Sequence, residues 1–209
     1  MIYSCLITGI GGQGTAIASR IIGTAATAKG LDAKGAKAEL LSRRGGSAIS
    51  HIRFGQNIHS PLIPQGKADL VIALDPAEAV RTRTFISPTG RMLALDRPVM
   101  PSSLKSGEAD YPLPDILSFL KAYMNRPSEE HLALKDTVEW LILVDAAKLI
   151  EKCGSTLALN TALLGAAAAR KLIPLTAGEI IPAIKEIVPP ESLDINIRAF
   201  NAGLELGKA

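Results

Sequence analysis

"CLITGIGGQGTAIASRII", residues 5–22, decides how the rest of the chain reads. Residues 2–8 are mostly apolar and have the form of a buried parallel strand. They run into a loop in which Gly9, Gly11 and Gly14 carry the spacing G-x-G-x-x-G, with Gly12 and Gln13 between them. Beyond it, residues 15–29 set small and aliphatic side chains at helical spacing, and Gly30 stands where a helix-ending glycine is expected. Strand, glycine loop and helix in that order make an anion-cradling unit. The glycines permit positive φ, and backbone N–H groups backed by the positive helix end can approach a phosphate.

A dinucleotide site also needs an acid at the end of the second strand, about 20 residues on, to hold the ribose. Here that neighbourhood reads "AKGAKAEL", residues 33–40, with Lys34 and Lys37 in it and Glu39 arriving late. Three uses of the loop therefore stay open on the residues alone. They are a nicotinamide cofactor, another anion or nucleotide moiety, and a structural or subunit-contact turn.

Working outward, "RRGGS" at 43–47 sets Arg43 and Arg44 beside Gly45, Gly46 and Ser47. Such a group can clamp an anion bidentately over bare N–H groups, or simply form a charged turn into the next strand. Its sequel alternates Ala48, Ser50, Ile52 and Phe54 against Ile49, His51 and Arg53, a partly exposed strand running antiparallel to the main sheet. Residues 68–75 read as a buried strand ending at Asp75-Pro76, which starts a helix over 77–83. Another strand is expected at 90–96, and a strand-then-helix unit at 138–154 with Asp145 at the junction. Residues 97–114 are Pro-rich and irregular, and a helix over 113–125 reads as a contact arm. An Ala-rich helix at 156–172, a short one at 176–189 interrupted at Pro182, and a last one at 191–206 complete the chain. The order points to an α/β fold: a Rossmann-like, doubly wound, mostly parallel sheet with helices on both faces and room for an antiparallel edge. One domain is expected over 1–209, with an excursion near 97–136.

Composition removes several classes of function. Of 209 residues 47% are hydrophobic, enough for a real core, whereas 4% are aromatic, too few for a base-stacking platform. The net charge of +3 is spread along the chain, so no nucleic-acid arm is expected. Cys5 and Cys153 are the only cysteines and form no C-x-x-C, which argues against an iron–sulfur cluster or structural zinc held by this chain. His51, His59 and His131 lack metal-ligand spacing. The Ala-rich stretch 157–173 is broken by Asn160, Arg170 and Lys171 and is too short to span a bilayer. Residues 1–10 lack a secretory n-region, so a soluble, cytoplasmic setting is expected. Asp75, Asp96 and Asp145 sit at strand ends, where acids meet ligands or cap helices. No Ser-His-Asp order or nucleophile elbow is present, and no residue is assigned a catalytic role. Asn160, in the middle of an apolar helix, either satisfies a buried network or faces a partner.

Taken together, "LITGIGGQGTAIASRII", "LLSRRGGSAISHIRFG", "SPLIPQGKADLVIALDPAEAVR", "LVDAAKLIEKCG" and "LNTALLGAAAA" resemble one family. It is the gamma-type domain of 2-oxoacid:ferredoxin oxidoreductases, and the likeness is nearest to the beta-type subunits of its indolepyruvate branch. It runs from about residue 3 to residue 206. Arg43 stands where the family usually has Gln. The resemblance implies a two-subunit enzyme that oxidatively decarboxylates arylpyruvates to aryl-acyl-CoA and CO2 and passes electrons to ferredoxin. It implies a large alpha subunit carrying thiamine diphosphate, Mg and the iron–sulfur clusters. This chain would be the non-redox subunit, inactive alone and able to pair with a second copy when alone. The matching positions are Gly9, Gly11, Gly12, Gln13 and Gly14, then Arg44, Gly45, Gly46 and Ser47, near where coenzyme A enters. A stand-alone NAD(P)-binding oxidoreductase and a non-catalytic interaction module are the rival readings.

Overall fold

The computed structural model describes residues 2–39, 46–99, 111–124 and 139–208. Six strands form one sheet: β1 (Ile2–Ile10), β2 (Asp32–Glu39), β3 (Ser47–Gly55), β4 (Ala68–Ala73), β5 (Ile86–Leu95) and β6 (Leu141–Val144). Their order is β2-β3-β1-β4-β5-β6. β1, β4, β5 and β6 are parallel neighbours, while β3 runs antiparallel to both β1 and β2. The antiparallel strand is thus inserted one place in from the edge, and β2 is outermost. Insertion pairs both edges of β3 and brings its faces under packed elements, so the partly exposed strand read from its alternation is largely buried, Phe54 and Ile52 on one face and His51 on the other.

Helices pack on both faces of the sheet. Cys5, Ile7, Ile52, Phe54, Leu70, Ile72, Leu93 and Leu95 point to the face covered by α1 (Thr15–Ala28), α4 (Ala146–Cys153), α5 (Leu159–Ala169), α6 (Ala177–Ile187) and α7 (Pro190–Gly207). Leu6, Val71, Ala73, Met92 and Ala94 point to the other, under α2 (Pro76–Thr82) and α3 (Leu113–Met124). α3 buries Leu120 and Met124 in that second core, so this helix is packed rather than extended as an arm. Residues 100–110 and 125–138 of the Pro-rich stretch and excursion fall outside the described residues.

Pro182 does not interrupt α6. A proline removes one N–H from the ladder. The helix is nevertheless held by a capping box at Thr176 and Glu179, and by burial of Ile180, Ala183 and Ile184 against α1 and the core. The tightest packing is between α5 and α7. A Cβ at Gly203 would overlap the carbonyl of Ala162, and one at Gly165 would overlap that of Phe200, so the two backbones touch.

Candidate glycine-loop site

The carboxyl ends of the parallel strands gather the residues singled out from sequence. Gly14 is the N-cap of α1, with φ 80° and ψ 28° and no side-chain cap, and Gly12 also has positive φ at 103°. The Gly11 N–H donates to the carbonyl of Gly46 at 2.8 Å, and Ile10 pairs with Ser47 across β1 and β3. The glycine loop and the stem of the "RRGGS" turn therefore lie side by side. Arg44 and Gly45, like Arg43, fall outside the described residues.

Two carboxamides hold the loop from beneath. The Gln13 Oε1 accepts from the Ile10 N–H at 2.7 Å, while its Nε2 donates to the carbonyls of Leu74 at 3.2 Å and Val99 at 2.9 Å. Gln13 thereby ties the ends of β1, β4 and β5 together with its amide group fully used. Asn160, 3% exposed at the start of α5, donates from Nδ2 to the Gly14 carbonyl at 3.0 Å. The loop's own bonds are Gln13 N–H to the Ile10 carbonyl at 3.0 Å and Ala18 N–H to the Gly14 carbonyl at 3.1 Å. The N–H groups of Gly12, Gly14, Thr15 and Ala16 have no such partner among the described residues. These donors, at the positive end of a 14-residue helix, have the chemistry to receive an anion.

Ser47 and Asp75, both singled out from sequence, meet Glu78, Arg81 and Tyr111, which were not, in a largely buried polar cluster. Glu78, 2% exposed, accepts from Ser47 Oγ at 2.5 Å and pairs with Arg81. Asp75 caps α2 by accepting from the Ala77 N–H at 2.8 Å, and Tyr111 donates its hydroxyl to the same oxygen at 2.9 Å. Burial, and next the charge of Asp75, push the Tyr111 hydroxyl well above its ordinary range, so it stays a donor. The other Asp75 oxygen, the Thr8 hydroxyl and the Asn160 Oδ1 are buried with no partner among the described residues. The signal for Glu78 was present as an acid three residues after a helix-starting Asp. What it bonds to depends on tertiary pairing.

The remaining strand-end acids cap helices. Asp145 accepts from the Lys148 N–H at 3.0 Å, and Asp96 reaches across to the Ala146 N–H at 3.0 Å. Burial opposes ionisation of Asp96, but hydrogen bonds from Arg97 and Ala146 hold its carboxyl below the usual range. His51 accepts from the Ile63 N–H at 3.2 Å, and burial pushes its pKa down. Both cysteines are enclosed. Burial pushes the Cys5 thiol far up, and Cys153 donates to the Ser155 carbonyl at 3.0 Å.

A cavity of about 700 Å3 begins beside the loop at Ala16 and runs between α1 and the β2–β3 hairpin, with Ser19, Arg20, Gly35, Lys37 and Ser50 on its walls. In a dinucleotide fold the strand beside β1 is parallel to it and brings the ribose acid to the carboxyl edge. Here the antiparallel β3 occupies that place and presents Ser47, moving the end of β2 one strand spacing away, about 5 Å.

Residues 4–206 match the pyruvate ferredoxin/flavodoxin oxidoreductase family. The chain belongs to this family. It is 32% identical over 206 residues to the indolepyruvate oxidoreductase subunit IorB of Thermococcus kodakarensis, covering 99% of this chain and 96% of the relative. The subunit IorB of Archaeoglobus fulgidus is 33% identical over 204 residues, covering 97% and 94%. Among solved structures, the gamma subunit of a keto/oxoacid ferredoxin oxidoreductase from Geobacter sulfurreducens matches 99% of this chain and 97% of its own. Its TM-score is 0.62 at 18% identity, a likeness of fold. A 2-oxoglutarate:ferredoxin oxidoreductase from Magnetococcus marinus, solved with 2-oxoglutarate, coenzyme A and succinyl-CoA bound, matches 99% of this chain over 31% of its own. Its TM-score is 0.66 at 17% identity. The chain is therefore a subunit of a ferredoxin-dependent 2-oxoacid oxidoreductase, and the family implies cofactors in partner subunits. No helix among the described residues is long and apolar enough to cross a membrane.

Proposed function

We propose that this chain is the non-redox, beta-type subunit of an arylpyruvate:ferredoxin oxidoreductase, and that its glycine loop seats the pyrophosphate of coenzyme A. The partner is a large alpha subunit carrying thiamine diphosphate, Mg and the iron–sulfur clusters, which together supply carbanion stabilisation and one-electron transfer. Indolepyruvate is the substrate named for the relatives and is the natural first candidate. The observation that supports the reading is the Gly11 N–H donating to the Gly46 carbonyl, which sets Gly46 and Ser47 beside the glycine loop and its unpaired N–H groups. Arg44 and Gly45, which precede Gly46 in sequence, are assigned to the same anion on their residue types alone. The adjoining cavity has the volume for the rest of such a ligand, and Arg20 stands on its wall. The chain's own residues bind and orient; none moves an electron or attacks substrate.

The displaced ribose position argues against a nicotinamide cofactor. In the assembled enzyme, kcat/KM for indolepyruvate and phenylpyruvate is expected to exceed that for pyruvate and 2-oxoglutarate by about tenfold or more. A preference for the short 2-oxoacids would contradict the substrate assignment. Micromolar binding of NADH or NADPH to the purified chain would contradict the whole reading.

A further inference from the structure

The outer two glycines of G-x-G-x-x-G have neighbours that a phosphate-binding role does not explain. A Cβ on Gly9 would stand 2.5 Å from Gln13 Oε1, and a Cβ on Gly14 would stand 2.5 Å from Asn160 Nδ2. Both glycines make room for a carboxamide. We infer that Gln13 and Asn160 are positioning residues that fix the two ends of the glycine loop, Gln13 at the Ile10 N–H and Asn160 at the Gly14 carbonyl, so that the unpaired N–H groups between and beyond them keep one direction.

The donors and acceptors around each amide support this. Gln13 meets one N–H at Oε1 and two carbonyls at Nε2, an arrangement that admits one orientation of the amide. Asn160 meets the Gly14 carbonyl, which Ala18 also engages. The carbonyls at the two ends of the loop, Ile10 and Gly14, are thus taken, and the Ile10 N–H is neutralised by Gln13. What remains for a ligand is the N–H groups of Gly12, Gly14, Thr15 and Ala16. A loop free to turn one peptide over would offer an oxygen in place of a donor and would repel an anion. Asn160 reaches across 146 positions of sequence to prevent this at the helix end, and Gln13 does so at the strand end.

The inference rests on the anion reading of the loop only for its functional consequence; the positioning itself is read from the hydrogen bonds. Gln13→Glu and Asn160→Asp are nearly isosteric but turn the donor edge of each amide into a second acceptor facing carbonyls. In the assembled enzyme each is expected to raise KM for coenzyme A by about tenfold or more, with kcat and KM for the 2-oxoacid within about twofold. Hydrogen exchange of the amides at residues 9–18 is expected to quicken. The Asn160→Asp defect should shrink as pH is lowered from about 8 to about 6, because a protonated carboxyl can again donate to Gly14. Asn160→Ala, which removes the donor without adding repulsion, gives the same pattern more weakly and covers the case in which the aspartate variant does not assemble. Unchanged exchange at 9–18 in variants that assemble would overturn the positioning role. Faster exchange with an unmoved KM for coenzyme A would uphold the positioning and overturn the anion reading.

Discussion

Gly14→Ala is expected to raise KM for coenzyme A in the assembled enzyme more than any other single methyl added to this chain. Two costs combine. Gly14 holds φ at 80°, a region where an alanine is strained by about 1–2 kcal/mol. Its new Cβ would also stand 2.5 Å from Asn160 Nδ2 and 3.2 Å from the Asn160 amide carbon, so a side chain packed at 3% exposure must move. The total is about 2–5 kcal/mol, taken from overpacking in a closed site plus backbone strain. Because the residue is the N-cap of α1, the movement turns the first N–H groups of the helix away from their shared direction. Asn160→Ala in the same chain relieves the steric part and leaves the φ strain, so the double variant should be more stable than Gly14→Ala alone. Urea unfolding of the purified chain measures this. Additive losses would mean that the two residues do not meet.

Gly203→Ala is expected to cost about 3 kcal/mol, lowering the unfolding midpoint by about 6–12 °C for a chain of this size. The added carbon would overlap the Ala162 carbonyl and lie 2.8 Å from its carbonyl carbon and 3.0 Å from the Ala166 nitrogen. All three are backbone atoms, so no rotamer change relieves the clash and the two helices must separate. α5 carries Asn160 in its first turn, so separation also loosens the grip on Gly14. Gly178→Ala is the control. Its Cβ would meet only Thr176 Oγ1 at 3.9 Å near the start of α6, and it should be neutral or stabilising by up to about 1 kcal/mol. Differential scanning calorimetry distinguishes the two. Equal midpoints for the Gly203 and Gly178 variants would refute the backbone contact.

Much of the fold is legible in the chain because its local signals agree with its tertiary structure. Strand, glycine loop and helix at 2–28 follow from an apolar run, turn glycines and helical spacing, and Asp75-Pro76 and Asp145 start helices as their chemistry requires. The features that escaped are those fixed by distant partners. Alternation shows which face of β3 each side chain takes, but the insertion of β3 between β2 and β1 depends on pairings that no local pattern encodes. Pro182 reads as a break because its cost is local, while the burial that offsets it comes from other helices. Gln13 reads as part of a binding motif, and its amide is taken up by Ile10, Leu74 and Val99, of which the last two are 61 and 86 positions away. Asn160 is conspicuous as a polar residue in an apolar helix, but only the folded chain gives it Gly14. The loop's shape is therefore readable from glycine spacing, and its support is not.

The central claim is that this chain contributes coenzyme A binding, and no redox group, to a shared active site. It is tested most directly by omitting it. The large cluster-bearing subunit should be assayed for 2-oxoacid-dependent ferredoxin reduction with and without this chain, across a range of coenzyme A concentrations. The account predicts negligible turnover from either subunit alone, restoration when the two are combined, and no iron or thiamine retained by this chain. Full activity of the large subunit alone, with the same KM for coenzyme A, would contradict it.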